Sequence, residues 1–195
     1  KQEFPKVHLE LHQSGPDEIV AMLQSGQADI GVATEALGNE PDLAAFPFYR
    51  WHHAIIVPDG HPLTLAGPLT MQDLAQWPLI TYHEGYTGRS RVDAAFAAAG
   101  VTPNIVITAL DADVIKSYVE LGLGIGIIAA MAFHPVRDAG LTLLEAPHLF
   151  EPNTTLIALR RGHYLRDYTY RFLEYCSPEL DAARIKNAVL RHAEP

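Results

Sequence analysis

Cysteine is almost missing from this chain: Cys176 stands alone among 195 residues, which excludes an internal disulfide and a cysteine-ligated zinc site. Positive charge is scarce too. With 14 Lys and Arg against 23 Asp and Glu, the formal charge is -9, and such a surface does not by itself hold nucleic acid or an anionic membrane. Any anion site must therefore be local. No apolar run approaches the ~20 residues of a membrane-spanning helix. No basic-plus-apolar secretion signal opens the chain, and internal repeats and low-complexity segments are lacking. The remaining composition, 48% hydrophobic and 19% charged, suits a soluble globular protein of one large or two small domains. The lone thiol fits a reducing, cytoplasmic setting. Lys1 opens a segment, KQEFPKV, that reads as the tail of an element begun earlier, so a fragment of a longer protein is expected.

Short apolar runs alternate with helical patterns, which predicts an α/β fold with largely parallel strands. Strands are expected at Val7 to Leu11, Asp29 to Ala33, Leu43 to Phe48, His53 to Pro58, Leu79 to Tyr82, Ile105 to Ala109, Ile125 to Ala129 and Thr155 to Arg160. Helices are expected at Pro16 to Ser25, before Gly26, and at Ser90 to Ala99, before Gly100. Others are placed at Asp113 to Leu121, before Gly122, and at roughly Leu165 to Tyr175 and Pro178 to His192. Thr70 and Asp73 form a capping pair for a short helix that stops before Pro78. The pattern changes character at Phe46 to His53 and at Pro147 to Asn153. Two such crossings let the chain leave one α/β lobe, build a second and return, giving one subdomain over 1–47 plus 154–195 and another over 48–153.

The most informative stretch is PLITYHEGYTGRS, Pro78 to Ser90, where an apolar strand runs through a glycine-containing turn into a helix. Helix N-termini carry unpaired N–H groups and a partial positive charge, and hydroxyls beside them add donors, so this turn suits a small anion. In a two-lobed α/β protein such a position lies at a ligand cleft.

Several motifs together carry a family resemblance: ADIGVATEAL (Ala28 to Leu37), HPL (His61 to Leu63), PLITY with GYTGRS (Pro78 to Ser90), and DADVIKSYVELGLGIGIIAAMA (Asp111 to Ala132). From about Phe4 to Cys176 the chain resembles the effector-binding domain of LysR-type transcriptional regulators, and within that family the CysB/Cbl branch, which controls sulfur assimilation and cysteine biosynthesis. The resemblance implies two Rossmann-like subdomains of type II periplasmic-binding-protein form, with the first strand and helix truncated. It implies a small effector between the lobes: sulfate, thiosulfate, O- or N-acetylserine, or adenylylsulfate. It also implies homodimers or tetramers, and DNA contact only through an amino-terminal winged helix-turn-helix absent from this chain. The family's anion-contacting threonines match Thr34 and Thr87, with Gly88 and Arg89 from the same turn. Gln13 and Ser14 are further candidate donors and Trp51 a candidate apolar wall. Glu84 occupies a place where that branch has uncharged residues; its carboxylate either repels sulfate or favours an effector bearing an amino group.

Each feature also has a plainer reading. Thr87 with Ser90 caps a helix, and Asp111 with Asp113 suits a helix start. Gly122, Gly124 and Gly126 follow a helix and precede a strand, the wrong order for a dinucleotide fingerprint, and serve helix closure and close packing instead. His8, Glu10 and His12 share one face of an expected strand, where a solvated face outweighs a metal site. His52 and His53 point to opposite faces and make a poor chelate. Cys176 is a packing residue, and Arg160, Arg161 and Arg166 form a solvated cluster or part of an interface. No nucleophile–base pair, metal cluster or cofactor motif emerges, so no enzyme and no cofactor is expected. The alternative function is a stand-alone small-anion-binding protein of the transport type, which shares the fold.

Overall fold

The computed structural model describes residues 2–34, 36–177 and 179–190, the side chain of residue 36 excepted. The chain forms two compact units, Lys1–Tyr49 with Thr154–Pro195, and Arg50–Asn153.

The first unit has a three-stranded sheet in the order β1-β8-β2, built from β1 (Gly31–Thr34), β2 (Leu43–Trp51) and β8 (Asn153–Arg160). β1 runs antiparallel to β8, with Gly31 opposite Ala158 and Thr34 opposite Thr155. Helix α1 (Pro16–Ser25) starts with proline in its first turn and ends at Gly26, whose φ of 77° is the left-handed conformation that closes helices. Leu23 of α1 is fully buried beside Leu37, Leu43 and Ala158. On a second apolar cluster, α5 (Asp167–Cys176) and α6 (Ala182–Leu190) bury Tyr170, Leu173, Ile185 and Val189 against Phe46, Ile157 and Leu159, with Cys176 packed at its edge. Arg160 donates to the Gln24 carbonyl and Arg161 to that of Pro41, so both arginines stitch this unit together.

The second unit has a five-stranded sheet in the order β5-β4-β6-β3-β7: β3 (His53–Pro58), β4 (Leu79–Tyr82), β5 (Ile105–Ala109), β6 (Ile125–Ala129) and β7 (Leu141–Leu144). Its helices are α2 (Met71–Ala75), α3 (Arg89–Ala98) and α4 (Ala112–Glu120). The helix starts are chemically explicit. Thr70 accepts from the Asp73 N–H at 3.2 Å while the Asp73 carboxylate accepts from the Thr70 N–H at 2.8 Å, a closed capping box. The Asp111 carboxylate accepts from the Val114 N–H at 2.9 Å at the head of α4. Strands β4 and β6 are buried along their whole length, as central strands covered on both faces must be. A Cβ on Gly126 would lie 2.6 Å from Ile56 and 3.0 Å from Val119, and one on Gly124 would lie 2.4 Å from the Pro78 carbonyl oxygen. Close packing therefore requires both glycines.

Two expectations are corrected. Val7 to Leu11 forms no strand, and Leu9 and Leu11 are 62% and 85% exposed. Alternation says which face each side chain takes, but a strand is made by its ladder with a neighbouring strand. The sheets are also less parallel than expected. β4 runs parallel to β5 and β6, joined by helical crossovers, but β3, which follows β2 directly, is antiparallel to both β6 and β7.

Candidate functional site

At the carboxyl end of β4 the chain enters a tight turn. Tyr86 N–H donates to the His83 carbonyl at 3.1 Å, and Arg89 N–H donates to the Tyr86 carbonyl at 2.9 Å. Between them Gly85, Thr87 and Gly88 take φ of 80°, 42° and 65°. Among the described residues Thr87 is the one non-glycine with positive φ. For a β-branched residue this conformation is a genuine outlier, costing about 1–3 kcal/mol, and it persists only where its surroundings impose it. The helix that follows, α3, is capped by Gly88 with no side-chain cap, which corrects the reading of Thr87 and Ser90 as a simple capping pair. Thr87 is half-buried, and no partner for its hydroxyl or for the Gly88 N–H is found among the described residues. Both donors stand at the positive end of a 10-residue helix.

Arg89 is differently placed from the other members of the turn. Its side chain is 7% exposed, with Nη1 donating to the Tyr82 carbonyl at 2.7 Å and Nε to the Asp93 carboxylate at 2.8 Å. These bonds fasten the start of α3 to the end of β4. Glu84 is exposed on the same turn.

Beneath the turn lies a residue pair that sequence reasoning did not single out. His53, fully buried, has Nε2 3.1 Å from the Thr87 carbonyl oxygen. A carbonyl only accepts, so Nε2 carries the proton and Nδ1 is the acceptor. Asn153 Nδ2 lies 3.3 Å from that Nδ1 and supplies the donor. Burial pushes the His53 pKa down to about 4, so the ring is neutral at physiological pH. Its ring is walled by Trp51 (centroids 4.9 Å apart), Phe150 (5.7 Å) and Tyr82 (6.3 Å). Trp51 itself is 7% exposed, so it buttresses the histidine. Tyr82 accepts from the Ala129 N–H, and burial raises its phenol to about 12, which keeps it protonated. His52 takes the opposite face, as strand alternation predicts, with Nε2 2.7 Å from Glu145. The periodicity placed His52 and His53 on opposite faces without saying which is buried, and nothing local marked Asn153, the first residue of β8, as a partner of His53.

The first unit holds the other candidates. Thr34 ends β1, half-buried, with its hydroxyl 3.4 Å from that of Thr155, its register partner. Gln13 is exposed, and Ser14 is half-buried one residue before Gly15, the cap of α1. Ser14 borders an open groove along α1 shared with His12, Glu18, Met22 and Gln27, which includes neither Gln13 nor Thr34. The structure thus brings Thr87, Gly88 and Arg89 into one turn, sets Trp51 behind it, and leaves Thr34, Gln13 and Ser14 on the first unit. Among the described residues no cluster of three metal-ligating side chains is present, and no helix is long and apolar enough to cross a membrane.

Comparison with known proteins gives a consistent picture. The LysR substrate binding domain profile matches residues 1–181. The chain is 52% identical over 190 residues to the HTH-type transcriptional regulator SsuR of Burkholderia cenocepacia, covering 97% of this chain and 61% of that protein. It is 50% identical over 194 residues to the HTH-type transcriptional regulator Cbl of Escherichia coli K12, covering 100% of this chain and 61% of that protein. Both relatives are named as regulators, not as enzymes. Among solved structures, the cofactor-binding domain of the Cbl transcriptional regulator superposes with a TM-score of 0.93 at 50% identity, over 97% of this chain and 83% of that one. The α/β architecture is thus that of a LysR effector-binding domain, of the type II periplasmic-binding form. The chain spans 61% of the length of these curated relatives.

Proposed function

Since the chain belongs to the family of LysR substrate-binding domains, we propose that it is the effector-sensing part of a transcriptional regulator of sulfur assimilation and cysteine biosynthesis. The observation that carries the reading is the Thr87–Gly88 turn: a hydroxyl and an amide without partners among the described residues, side by side at the positive end of α3. Such a pair offers neutral donors to a sulfate, thiosulfate or carboxylate oxygen. Sulfate, thiosulfate, O- or N-acetylserine and adenylylsulfate are the effectors of this reading, and Thr34, Gln13 and Ser14 are the first unit's candidate donors. Arg89 serves by holding the turn to β4, and Trp51 by backing His53.

Identity to regulators named SsuR and Cbl supports the sulfur setting, and their greater length supports a DNA-reading helix-turn-helix elsewhere in the same protein. In this reading the protein works in the cytoplasm as a homodimer or tetramer. Effector binding shifts a pre-existing conformational equilibrium, to which the DNA-binding part responds.

The test is calorimetric titration of the chain with sulfate, thiosulfate, O-acetylserine and N-acetylserine. Thr87→Val removes one donor while keeping shape, and is expected to weaken the tightest of the four about tenfold. Thr87→Ser keeps the hydroxyl and stays close to the unaltered affinity. Equal affinity for all three proteins refutes the assignment.

A further inference from the structure

Three irregularities meet at one point of the second unit. Thr87 holds an unfavourable left-handed φ of 42°, His53 is buried within the core yet donates to its carbonyl, and Asn153 Oδ1 is buried without a partner among the described residues. Asn153 is 1% exposed, so the orphan oxygen is shielded from bulk water as well. It is aimed at the turn, since a Cβ built on Gly88 would lie only 2.4 Å from it. A buried acceptor left unmet and a threonine held out of its preferred conformation both cost stability. Such costs, concentrated in one contact chain, mark a place where geometry matters more than stability.

We propose that His53 and Asn153 are positioning residues for the effector: through the chain Asn153–His53–Thr87 they hold the turn in the one conformation that presents the Thr87 hydroxyl and the Gly88 N–H together. The inference rests on the effector reading of the turn. Asn153 fixes the His53 tautomer, because its amide N–H takes Nδ1 as acceptor and leaves the ring proton on Nε2. The Nε2–H then anchors the Thr87 carbonyl, which fixes the peptide plane that carries the Gly88 N–H on its other side. The rings of Trp51, Phe150 and Tyr82 fix the plane of the imidazole, so this donor has little freedom to follow a relaxing turn. From below, Asn153 occupies the space that a side chain at position 88 would need, which keeps the backbone there bare. The two positioning residues are 100 positions apart, one opening β3 and the other opening β8, so the turn is held by both ends of the second unit's chain.

The test titrates the 195-residue chain with the tightest binder among sulfate, thiosulfate, O-acetylserine and N-acetylserine. His53→Phe keeps the aromatic packing and removes the Nε2–H, and Asn153→Leu removes the tautomer control. Each is expected to weaken binding about tenfold, the usual weight of one hydrogen bond. His53→Gln offers an amide that donates to Thr87 and accepts from Asn153, and is expected to restore affinity to within about threefold. Ile55→Val, a core change on the same strand, is expected to lower the melting temperature without touching affinity, which separates positioning from general softening. His53→Phe and Asn153→Leu binding as tightly as the unaltered chain, with Thr87→Val still weakened, overturns the positioning role and spares the effector reading. If Thr87→Val is silent too, the effector reading itself falls. Should His53→Phe not fold, Asn153→Leu decides alone, because it leaves the aromatic walls of the histidine intact.

Discussion

The buried histidine makes the second unit's stability depend on pH in a calculable way. In the unfolded chain His53 binds a proton near its ordinary value of 6.5, whereas burial lowers the folded value to about 4. Above 6.5 the ring is neutral in both states and its contribution to stability is complete. As the pH falls through the window the unfolded chain takes up the proton first, so stability is lost down to about pH 4, below which both states are protonated and the loss levels off. At about 1.4 kcal/mol per pH unit, the whole window corresponds to on the order of 3 kcal/mol, and the step from about pH 7 to about pH 5 to roughly 2 kcal/mol. Both tryptophans, Trp51 and Trp77, lie in the second unit, so their fluorescence during urea unfolding reports on the unit that holds His53. The perturbation is His53→Gln, which cannot titrate. Subtracting its unfolding free energy from that of the unaltered chain at each pH cancels the carboxylates and the other histidines. Buffers must be free of sulfate and phosphate, because an anion bound at the turn would stabilise the folded state by mass action. The difference is expected to fall by about 2 kcal/mol between about pH 7 and about pH 5. Parallel curves for the two proteins would show that His53 protonates in the folded unit as easily as in water, and would refute the locked neutral tautomer.

Other consequences can be checked singly. Gly88→Ala meets Asn153 Oδ1 at 2.4 Å and must hold a φ of 65°, so it is expected to cost at least about 2 kcal/mol in urea unfolding; an undiminished midpoint would mean that the turn relaxes freely. Gly126→Ala pushes a methyl to 2.6 Å from Ile56, and a loss of about 1–3 kcal/mol is expected from overpacking, read from the same urea midpoint. Asp111→Ala removes the cap of α4, with about 1 kcal/mol lost in thermal unfolding and a neutral result denying the cap any weight.

What could be read from the sequence was local. Pro16 and Gly26 bracket α1, Thr70 and Asp73 cap α2, and Gly122 closes α4, because each signal acts within a few residues of its effect. The strand, glycine turn and helix around Thr87 were legible for the same reason. Pairing is not local. Val7 to Leu11 has a strand's alternation yet forms none, and the antiparallel placement of β3 depends on where β6 and β7 lie, far along the chain. The left-handed threonine was equally hidden, since glycine and not threonine is the residue that announces such a backbone. His53 could be assigned a face but not a purpose, because its partners Thr87 and Asn153 are supplied by folding, 34 and 100 residues away.

The order of strands in the first unit has a bearing on how the chain is made. β8 lies at the centre of that sheet, between β1 and β2, and among the described residues it is the last strand to be synthesised. Until it emerges, β1 and β2 lack the strand that lies between them, and the loop to be closed is the whole of Arg50–Asn153. The second unit is one uninterrupted stretch and is free to fold while the ribosome is still at work. A nascent chain halted once Asn153 has cleared the ribosome should therefore resist protease within Arg50–Asn153 and be cut readily before Tyr49. Each unit's maturation would then be a separate event in time, with the insert completed before the unit that hosts it.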